Sequence, residues 1–488
     1  MPAPDDPSSA FNAVGKPKIR AKAHVIPIQP AEGDDLYEVR KKVYPRAVTG
    51  RFATWRWIMV WATQLLFYGL CWVPWNGRQS VLFDLVERKF YIFGWVFWPQ
   101  DVFYLAVLLI ISALSLFLFT AVAGRLWCGF TCPQTVYTEI FMWIEQKIEG
   151  NRQRQMKLDQ MPWGGHKVLV KGAKYLAWAA IALWTGITFV GYFTPIKPLV
   201  SDIAAFGVSG WSAFWILFYG GFTYLMAGVM REQVCKYMCP YARFQSVMFD
   251  PDTLVITYDT ARGEPRGSRK RGVEPRSIGK GDCVDCGICV QVCPTGIDIR
   301  QGLQYECIGC AACIDACDQV MDKMGYAPGL IRYSTENAIE KRWGRKEIVS
   351  HVLRPRVLVY AGVLAAIVLA FAYALVSRED IRVDVIKDRT TLTREVEDGL
   401  IENVYILHLM NMSEAPRTLN VSATGLDGIR IDGRTRFDIN PAENSTATLR
   451  VRVPVDSASK GSHAIYFEVR AEGYADEFVR EKAVFIMP

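Results

Sequence analysis

The cysteines of this chain fall into patterns that suit metal and redox chemistry. Eight of the thirteen form two runs, "CVDCGICVQVCP" and "CIGCAACIDACD", and each run has the spacing C-x2-C-x2-C-x3-C. This spacing, written twice, is the one with which bacterial two-cluster ferredoxins hold [4Fe–4S] clusters. The two runs therefore predict a ferredoxin domain that passes electrons, without indicating where the electrons go.

The two runs also predict which cysteines share a cluster. Three closely spaced thiolates hold three irons of one cluster, and the fourth thiolate of the run reaches the other cluster. The predicted ligand sets are Cys283, Cys286, Cys289 and Cys317 for one cluster, and Cys293, Cys307, Cys310 and Cys313 for the other. Asp318 stands where proline is usual, and we expect its charge to lower the potential of the first cluster without abolishing ligation. Zinc is the alternative occupant, but a zinc site needs four ligands and not two interlocked sets of four.

Four further cysteines form two identical Cys-x-x-x-Cys-Pro motifs. "RLWCGFTCPQ" contains Cys128 and Cys132, and "REQVCKYMCP" contains Cys235 and Cys239. Positions i and i+4 of a helix project from the same side, so each pair can present two sulfurs together, and the proline then marks where the helix breaks or turns. Thiols from two helix ends suit Cu(I), zinc or an iron–sulfur cluster. Plain buried cysteines, disulfide exchange and a further cluster remain open alternatives.

Long apolar segments surround the Cys-x-x-x-Cys-Pro motifs. Half of the 488 residues are hydrophobic, and runs without a single charge occupy 57–73, 102–124, 175–196, 203–230 and 357–376. Each is about the length of a membrane-spanning helix, roughly 20 residues. We therefore predict five spans, with Cys71 as a buried thiol in the first. The aromatic segment 90–100 is too short to span and is expected at the membrane interface.

The distribution of basic residues predicts the orientation of these spans. Seven Lys and Arg residues lie between 147 and 174, whereas the loop after span three offers only Lys197. The first of these loops is therefore expected in the cytoplasm, together with the N-terminus and the eight-cysteine region. The N-terminal sequence lacks the apolar centre of a cleavable signal peptide, so the first span must serve as the insertion signal. The net charge of +7 then reflects topology and not nucleic-acid binding.

The C-terminal part of the chain has a different pattern. From about residue 378, roughly seven short alternating stretches with turn residues between them predict an antiparallel β-sandwich. Within it, "HLMNM" puts the soft ligands His408, Met410 and Met412 on one face of a strand, although such residues are more often plain core or surface.

The predicted fold class is a multidomain membrane protein with an α-helical bundle, an inserted two-cluster ferredoxin domain and an all-β sandwich. The predicted boundaries are a mostly disordered tail at 1–52, four spans with both motifs at 53–245, a basic linker at 246–280, the ferredoxin domain at 281–330, a cytoplasmic linker at 331–356, the fifth span at 357–376 and a periplasmic domain at 377–488. The Gly-, Pro- and Arg-rich part of the linker, 261–280, is expected to be a flexible tether near anionic lipid, or else a docking site for an acidic electron donor.

The sequence shows no binding motif for a membrane haem, a nicotinamide or a flavin. No histidine lies inside a predicted span, which argues against a bis-histidine haem in the bilayer. The chain also lacks a G-x-G-x-x-G motif after a strand, so it shows no nicotinamide or flavin fold of its own. A separate cytoplasmic partner must deliver the electrons.

Several of these motifs together resemble the CcoG family, also called FixG or RdxA. The resemblance rests on "NGRQSVLFDLVERKFYIFGWVFWPQD" (76–101), "GRLWCGFTCPQTVYTEIFMWIE" (124–145), both Cys-x-x-x-Cys-Pro motifs, the double ferredoxin run and the β-rich end of the chain. It implies a polyferredoxin of the bacterial inner membrane, with an immunoglobulin-like C-terminal domain, that reduces Cu(II) to Cu(I) for maturation of the cbb3-type cytochrome c oxidase. Proteins of nitrate and nitrous oxide respiration share the paired motifs, so the motifs alone do not select copper.

The resemblance and the residues together lead to one hypothesis. Electrons from an unidentified cytoplasmic donor pass through two [4Fe–4S] clusters to copper at Cys128, Cys132, Cys235 and Cys239, because thiolates favour the Cu(I) product. Copper chaperones or oxidase-assembly proteins are then expected partners, and a homodimer is possible. Two alternatives stay open: a redox-sensing copper scaffold without turnover, and an electron relay to quinone or a partner reductase.

Overall fold

The computed structural model describes residues 42–388, 393–396, 399–474 and 478–488. Most of the tail predicted at 1–52 lies outside the described residues. The helices are α1 (Arg51–Leu70), α2 (Val102–Ala123), α3 (Leu126–Phe130), α4 (Pro133–Glu149), α5 (Arg152–Gln160), α6 (Gly165–Val190), α7 (Ile196–Ala204), α8 (Gly210–Thr223), α9 (Pro240–Met248), α10 (Thr260–Gly263), α11 (Ile288–Gln291), α12 (Ala312–Met324), α13 (Glu336–Glu340), α14 (Arg345–Val352) and α15 (Pro355–Val376).

The strands lie in two regions beside the helices and in the C-terminal domain. They are β1 (Pro74–Trp75), β2 (Arg78–Gln79), β3 (Val81–Asp84), β4 (Lys89–Ile92), β5 (Trp95–Phe97), β6 (Val255–Tyr258), β7 (Ile331–Ser334), β8 (Ile381–Lys387), β9 (Arg394–Val396), β10 (Leu400–Asn411), β11 (Arg417–Thr424), β12 (Arg430–Asp432), β13 (Arg436–Ile439), β14 (Asn444–Pro454), β15 (Gly461–Ala471) and β16 (Phe478–Met487).

Four helical segments of the described chain are long and apolar enough to cross a membrane. They are Pro99–Ala123, Gly165–Val190, Gly210–Met230 and Pro355–Val376. These segments overlap the second to fifth predicted spans. The third ends in π-helical turns, Tyr224–Met230, and a second π-helical segment, Val234–Met238, follows it.

The first predicted span, 57–73, lies mostly in α1, which is not among these four segments. The arginines and polar side chains of α1 lower its hydropathy below that of these four segments. The helix nevertheless runs along the bundle, because Tyr68 near its end lies 2.8 Å from the Thr185 hydroxyl of α6. At its other end, the backbone N–H of Ala53 donates to the carboxylate of Asp315 in α12 at 2.7 Å. Its 20 residues correspond to a length of about 30 Å.

The aromatic segment 90–100, which is expected at the membrane interface, forms part of a small antiparallel sheet. Strands β3, β4 and β5 pair in that order, and the N–H of Phe83 donates to the carbonyl of Tyr192, just after α6, at 2.7 Å. Trp98 is buried against Met412 of the C-terminal domain. Aromatic and β-branched residues, which favour strands, explain why this segment folds as a sheet.

The cysteine-rich region and the C-terminal domain lie at opposite ends of α2. At the start of α2, Asp101 pairs with Arg378 at 2.5 Å, and Arg378 directly precedes the C-terminal domain. At the end of α2, the carbonyl of Val122 accepts from the N–H of Leu254, which leads into β6. The α-helical bundle therefore separates the two domains.

The predicted linkers on both sides of the cysteine runs are folded. Strand β6, from the first linker, pairs with β7, from the second, and closes the cysteine-rich region. The guanidinium of Arg262 pairs with Asp282 at 2.5 Å, and Arg269 donates to the Tyr326 hydroxyl at 2.9 Å. Segment 261–280 thus differs from the tether expected from its composition, because its arginines find partners in the cysteine-rich region.

The C-terminal domain is a sandwich of two antiparallel sheets. One sheet has the strand order β12-β14-β10-β8, with β9 paired to β10, and the other has the order β13-β11-β15-β16. Tyr405, Phe467 and Phe485 are completely buried in its core. Alternate inward-facing side chains of both sheets form this core. The predicted antiparallel sandwich and the predicted fold class are confirmed.

Candidate metal centre

Two cavities in the cysteine-rich region are lined by the two groups of cysteines that the sequence predicts. One is lined by Cys283, Cys286, Cys289 and Cys317, together with Tyr258 and Arg300. The other is lined by Cys293, Cys307, Cys310 and Cys313, with Cys289 also at its wall. The folded chain thus brings the fourth cysteine of each run to the other run. That these thiolates ligate irons stays a prediction.

Local backbone conformation places the cysteines around these cavities. Gly287 and Ala311 take left-handed conformations, with φ of 63° and 59°, directly before α11 and α12. Each helix therefore starts within the cysteine run, so that successive cysteines turn toward a common centre. Ala311 is fully buried, so the surrounding packing holds a conformation that favours glycine.

The electrostatic surroundings of these thiols suit a bound cationic group. Burial raises the pKa of Cys289 to about 11 and the pKa values of Cys307 and Cys317 to about 12. Buried thiolates need positive charge beside them to be stable, and iron centres supply that charge. The donor set, the spacing and the burial therefore fit two [4Fe–4S] clusters.

The four cysteines of the Cys-x-x-x-Cys-Pro motifs form what we call the four-thiol site: Cys128, Cys132, Cys235 and Cys239. Cys128 lies in α3, and Cys132 is the residue before α4. Cys235 lies in the π-helical segment after span four, and Cys239 is the residue before α9. The expected placement of both cysteines at positions i and i+4 of one helix is therefore wrong, because in each motif the helix that contains the first cysteine ends before the second.

Proline explains the break in each motif. Pro133 and Pro240 are the first residues of α4 and α9. Proline favours this first position, because its fixed φ suits a helix and its missing N–H has no partner there anyway. Each proline thus starts a new helix and puts the preceding cysteine at its N-terminal end. Backbone N–H groups of Gln134 and Thr135 consequently favour the thiolate of Cys132 and oppose the rise in its pKa that burial causes.

The four thiols lie close enough to affect one another. Burial, together with the neighbouring thiols of the site, raises the pKa of Cys128 to about 11 and that of Cys235 to about 12. The fully buried amide of Gln245 lies 3.4 Å from the sulfur of Cys128. The site is therefore a group of partly buried thiols, and sulfur donors suit a soft ion.

The four sulfurs do not converge on a single point. Within the described ranges, no three His, Cys, Asp or Glu side chains come together tightly enough to hold a single ion. The same is true of the eight ferredoxin cysteines, whose spacing suits a multi-iron cluster. A single ion in the four-thiol site would therefore require its thiol side chains to move inward.

A close backbone contact joins the four-thiol site to the ferredoxin region. A Cβ atom built on Gly129 would lie 2.6 Å from the carbonyl oxygen of Gly309 and 2.8 Å from the N atom of Cys310. A Cβ atom built on Gly309, whose φ is +69°, would lie 2.9 Å from the carbonyl oxygen of Arg125. Only glycine allows the two backbones to approach so closely. This contact puts Cys128 and Cys310, the residues next to these glycines, in neighbouring positions.

Arg125 lies at the same contact, and our sequence analysis did not identify it. Its buried guanidinium donates to the carbonyl of Cys307 at 3.1 Å and to the carbonyl of Ala242 at 2.6 Å. Burial lowers the pKa of Arg125, whereas Cys128, Cys307 and Cys235 act in the opposite direction. Its position directly after span two and before a cysteine motif was the available sequence signal.

A second buried arginine comes from α1. Arg56 is buried and pairs with Glu139 at 3.8 Å, and its positive charge opposes the rise in the pKa of Cys310 that burial causes. A helix that the sequence treats only as a span therefore contributes a cation beside the second group of ferredoxin cysteines.

The remaining candidate residues do not join these sites. Met410 and Met412 are buried, the latter against Val96 and Trp98. His408 lies 3.1 Å from the Thr446 hydroxyl on the outer surface of β10. These three residues therefore form core and surface and not a shared ligand set. Cys71 is buried in an apolar cluster at the end of α1, as expected for a packing residue.

Three protein-family models match this chain. A 4Fe-4S binding domain matches residues 105–151, a 4Fe-4S dicluster domain matches residues 230–336, and an Ig-like fold found at the C-terminus of FixG matches residues 371–488. The first match contains Cys128 and Cys132, and the second contains the other ten cysteines of the two sites. The matches support iron–sulfur clusters in the cysteine-rich region and an immunoglobulin-like C-terminal domain.

Similar full-length proteins cover most of the chain. The nitrogen fixation protein FixG of Rhizobium meliloti is 38% identical, over 83% of this chain and 83% of its own length. The protein RdxA of Cereibacter sphaeroides is 37% identical, over 87% of this chain and 92% of its own length. A solved structure of a FixG-related protein from Vibrio parahaemolyticus is 21% identical, with a TM-score of 0.21, and covers 22% of this chain and 97% of its own.

Proposed function

Because this chain belongs to the FixG/RdxA family of membrane iron–sulfur electron-transfer proteins, we propose that it reduces Cu(II) to Cu(I) for maturation of cbb3-type cytochrome c oxidase. Copper is the substrate, and the four-thiol site binds it. The ferredoxin cysteines would hold two [4Fe–4S] clusters, which supply single electrons when bound. Each turnover takes one electron from the protein and converts one Cu(II) to one Cu(I).

The contact between Gly129 and Gly309 carries this proposal. It brings the backbone of the four-thiol site against the backbone of the loop that bears Cys307 and Cys310. A metal ion at Cys128 would therefore lie beside the second ferredoxin group, separated from it by little more than one layer of backbone.

The chemistry of the four-thiol site favours the reduced ion. Cu(II) prefers nitrogen and oxygen ligands in a tetragonal arrangement, whereas Cu(I) is soft and prefers sulfur. Sulfur ligation therefore stabilises the product and raises the driving force for reduction. Cys128 and Cys132 are partly buried, which reduces the access of water to an ion bound there.

Copper reduction by purified protein tests the proposal. We expect the variant Cys128→Ser/Cys132→Ser/Cys235→Ser/Cys239→Ser to lose steady-state Cu(II) reduction with a chemical electron donor, while it keeps the visible absorbance of the ferredoxin clusters. Cys71→Ser is the matched control, because Cys71 is a buried thiol in a different cluster of side chains. Undiminished turnover in the fourfold variant would exclude the four-thiol site from the reaction.

The proposal includes an arrangement in the bacterial inner membrane. The ferredoxin region is cytoplasmic and receives electrons from a cytoplasmic donor, and the immunoglobulin-like domain is periplasmic. The opposite placement of the two domains at the ends of α2 supports this arrangement. Protease added to spheroplasts should remove the C-terminal domain and leave the ferredoxin region intact; cleavage in the ferredoxin region would reverse the orientation. Copper chaperones or oxidase-assembly proteins then take up the product, and self-association to a homodimer stays a prediction.

One observation favours a second candidate function, an electron relay to quinone or a partner reductase. The matched 4Fe-4S binding domain at 105–151 contains only two cysteines, Cys128 and Cys132, and Cys235 and Cys239 complete a set of four beside them. In this case the four-thiol site would hold a further cluster. Iron analysis separates the two candidates, since two clusters give about eight irons per chain and three give about twelve. A redox-sensing scaffold would bind copper without multiple turnover.

A further inference from the structure

A cavity of about 570 Å³ opens where α4 ends and α5 begins, and no cysteine lines it. Three cationic side chains line it: Arg46, Lys147 and Arg152. Its remaining walls are mainly amide side chains and the indole of Trp143, and no carboxylate lines it. The cavity therefore carries a formal charge of about +3, which makes it suitable for an anion.

In the part of the chain that the structure describes, none of the three cations forms an ion pair with a carboxylate. Arg152 donates through Nε to the carbonyl of Tyr44 at 2.9 Å, and the ammonium of Lys147 lies 5.8 Å from the ring centre of Trp143. Both contacts hold a cation in place and leave its charge uncompensated.

The acidic side chains of α4 do not compensate this charge, because they face the opposite side of the helix. The Glu149 carboxylate lies 2.8 Å from the ammonium of Lys174, and the Glu145 carboxylate lies 2.7 Å from the guanidinium of Arg231. Both carboxylates are buried. The helix thus directs its paired carboxylates into the bundle, whereas its Lys147, which forms no ion pair within the described residues, lines the cavity.

The cavity lies at the level where the apolar helices end. Trp143 is 47% exposed and packs edge-on against Trp57 of α1, with ring centres 6.1 Å apart. One turn further along α1, toward the middle of the bundle, Trp61 is 62% exposed. Lys147 lies one turn beyond Trp143 in the other direction, toward the end of α4. Tryptophan followed by lysine or arginine is typical of the boundary between lipid chains and headgroups.

We infer that this cavity binds a phosphate-bearing anion, with the headgroup of an anionic phospholipid as its natural source. A phosphodiester offers oxygens to guanidinium and ammonium groups, and two arginines can each bind it through paired N–H donors. The exposed indoles would contact the glycerol and the first part of the acyl chains. A zwitterionic lipid fits less well, because its own ammonium group would meet three cations.

A bound headgroup would also lie near the ferredoxin region. Gln291 lines the cavity, and its carbonyl accepts from the backbone N–H of Arg46 at 2.8 Å. Gln291 lies between Cys289 and Cys293, which are predicted to ligate different clusters. The headgroup therefore fixes the segment before α1 against the ferredoxin region, and its loss should loosen this attachment.

Native mass spectrometry of the delipidated full chain in detergent, titrated with short-chain phosphatidylglycerol, phosphatidylcholine or inorganic phosphate, tests the inference. We expect one phosphatidylglycerol to bind at least tenfold more tightly than phosphatidylcholine. The triple variant Arg46→Gln/Lys147→Gln/Arg152→Gln should bind phosphatidylglycerol roughly 100-fold more weakly, as expected for three cations near an anionic headgroup. The single variant Lys147→Glu changes an exposed position and should also lower the affinity for phosphatidylglycerol.

The matched control changes charge without touching the cavity. Arg154→Gln/Lys157→Gln/Arg271→Gln removes three exposed cations and should bind phosphatidylglycerol as the unchanged protein does. Equal losses in the two triple variants, or equal affinity for the two lipids, would overturn the inference. If millimolar inorganic phosphate displaced phosphatidylglycerol, the cavity would still be a phosphate site, but its natural ligand would be a soluble phosphate and not a lipid.

Discussion

The carbonyl oxygen of Gly309 lies 2.6 Å from the position that a Cβ on Gly129 would occupy, so the two backbones touch where the four-thiol site meets the ferredoxin region. Gly129→Ala should therefore push this contact apart. We expect a loss of about 1–3 kcal/mol of stability, as for other overpacked interiors, together with slower Cu(II) reduction at unchanged iron content. Gly172→Ala is the control, because a Cβ there meets nothing within 4 Å. Equal stability and equal turnover in both variants would show that the contact has no role.

Arg125 offers a test of the electrostatics at the same contact. Replacing it with Gln removes a positive charge beside Cys307 and Cys128, and the reduced state of the second cluster, which carries one more negative charge, should then become less stable. The reduction potential should fall by about 60 mV for every 1.4 kcal/mol of lost stabilisation. Redox titration followed by electron paramagnetic resonance measures it. Arg125→Lys keeps the charge and should stay close to the unchanged protein; equal falls in both variants would assign Arg125 a purely structural role.

Asp318 offers the opposite test at the first cluster. Its carboxylate follows Cys317 directly and accepts a hydrogen bond from the N–H of Gly329 at 2.7 Å. Asp318→Asn removes the negative charge and keeps an oxygen for this bond, so the potential of the first cluster should rise. The same titration would detect a shift of about 60 mV. Asp322→Asn, one turn further along α12, is the control and should have a smaller effect because it is farther from Cys317. An unchanged potential in Asp318→Asn would mean that the carboxylate is already protonated or well screened.

The sequence predicts local features of this molecule better than contacts between distant segments. The grouping of Cys317 with the first run, and of Cys293 with the second, follows from the repeated ferredoxin spacing, in which the fourth cysteine of each run joins the other cluster. The alternating pattern of the last hundred residues likewise predicts the sandwich, because the side-chain period of two is a local property.

The features that the sequence did not predict correctly have physical causes. The geometry of the cysteine pairs was wrong because Pro133 can end one helix or begin the next, and only the surrounding fold decides. The partnership of Gly129 with Gly309 joins residues 180 positions apart, and each glycine alone resembles an ordinary turn residue. The role of Arg56 was not predicted because a cation next to an apolar helix usually only marks where the membrane span ends. Here α1 packs against the cysteine-rich region, and this contact is not visible in the sequence.

The buried ions at the start of α6 provide the last prediction, which concerns stability. Lys174 is 2% exposed, and its ammonium lies 2.8 Å from the Glu149 carboxylate and 3.4 Å from that of Glu145. Lys174→Met leaves negative charge in a desolvated place, so we expect a loss of about 3–5 kcal/mol. Lys157→Met, at an exposed position on α5, should cost less than about 0.5 kcal/mol. Thermal unfolding in detergent measures both.

Arg231 joins this network just before Cys235, so the Lys174 variant should also lose copper reduction at a lower temperature. Equal unfolding midpoints for the Lys174 variant and the unchanged protein would mean that the remaining cation at Lys171 suffices to neutralise Glu149.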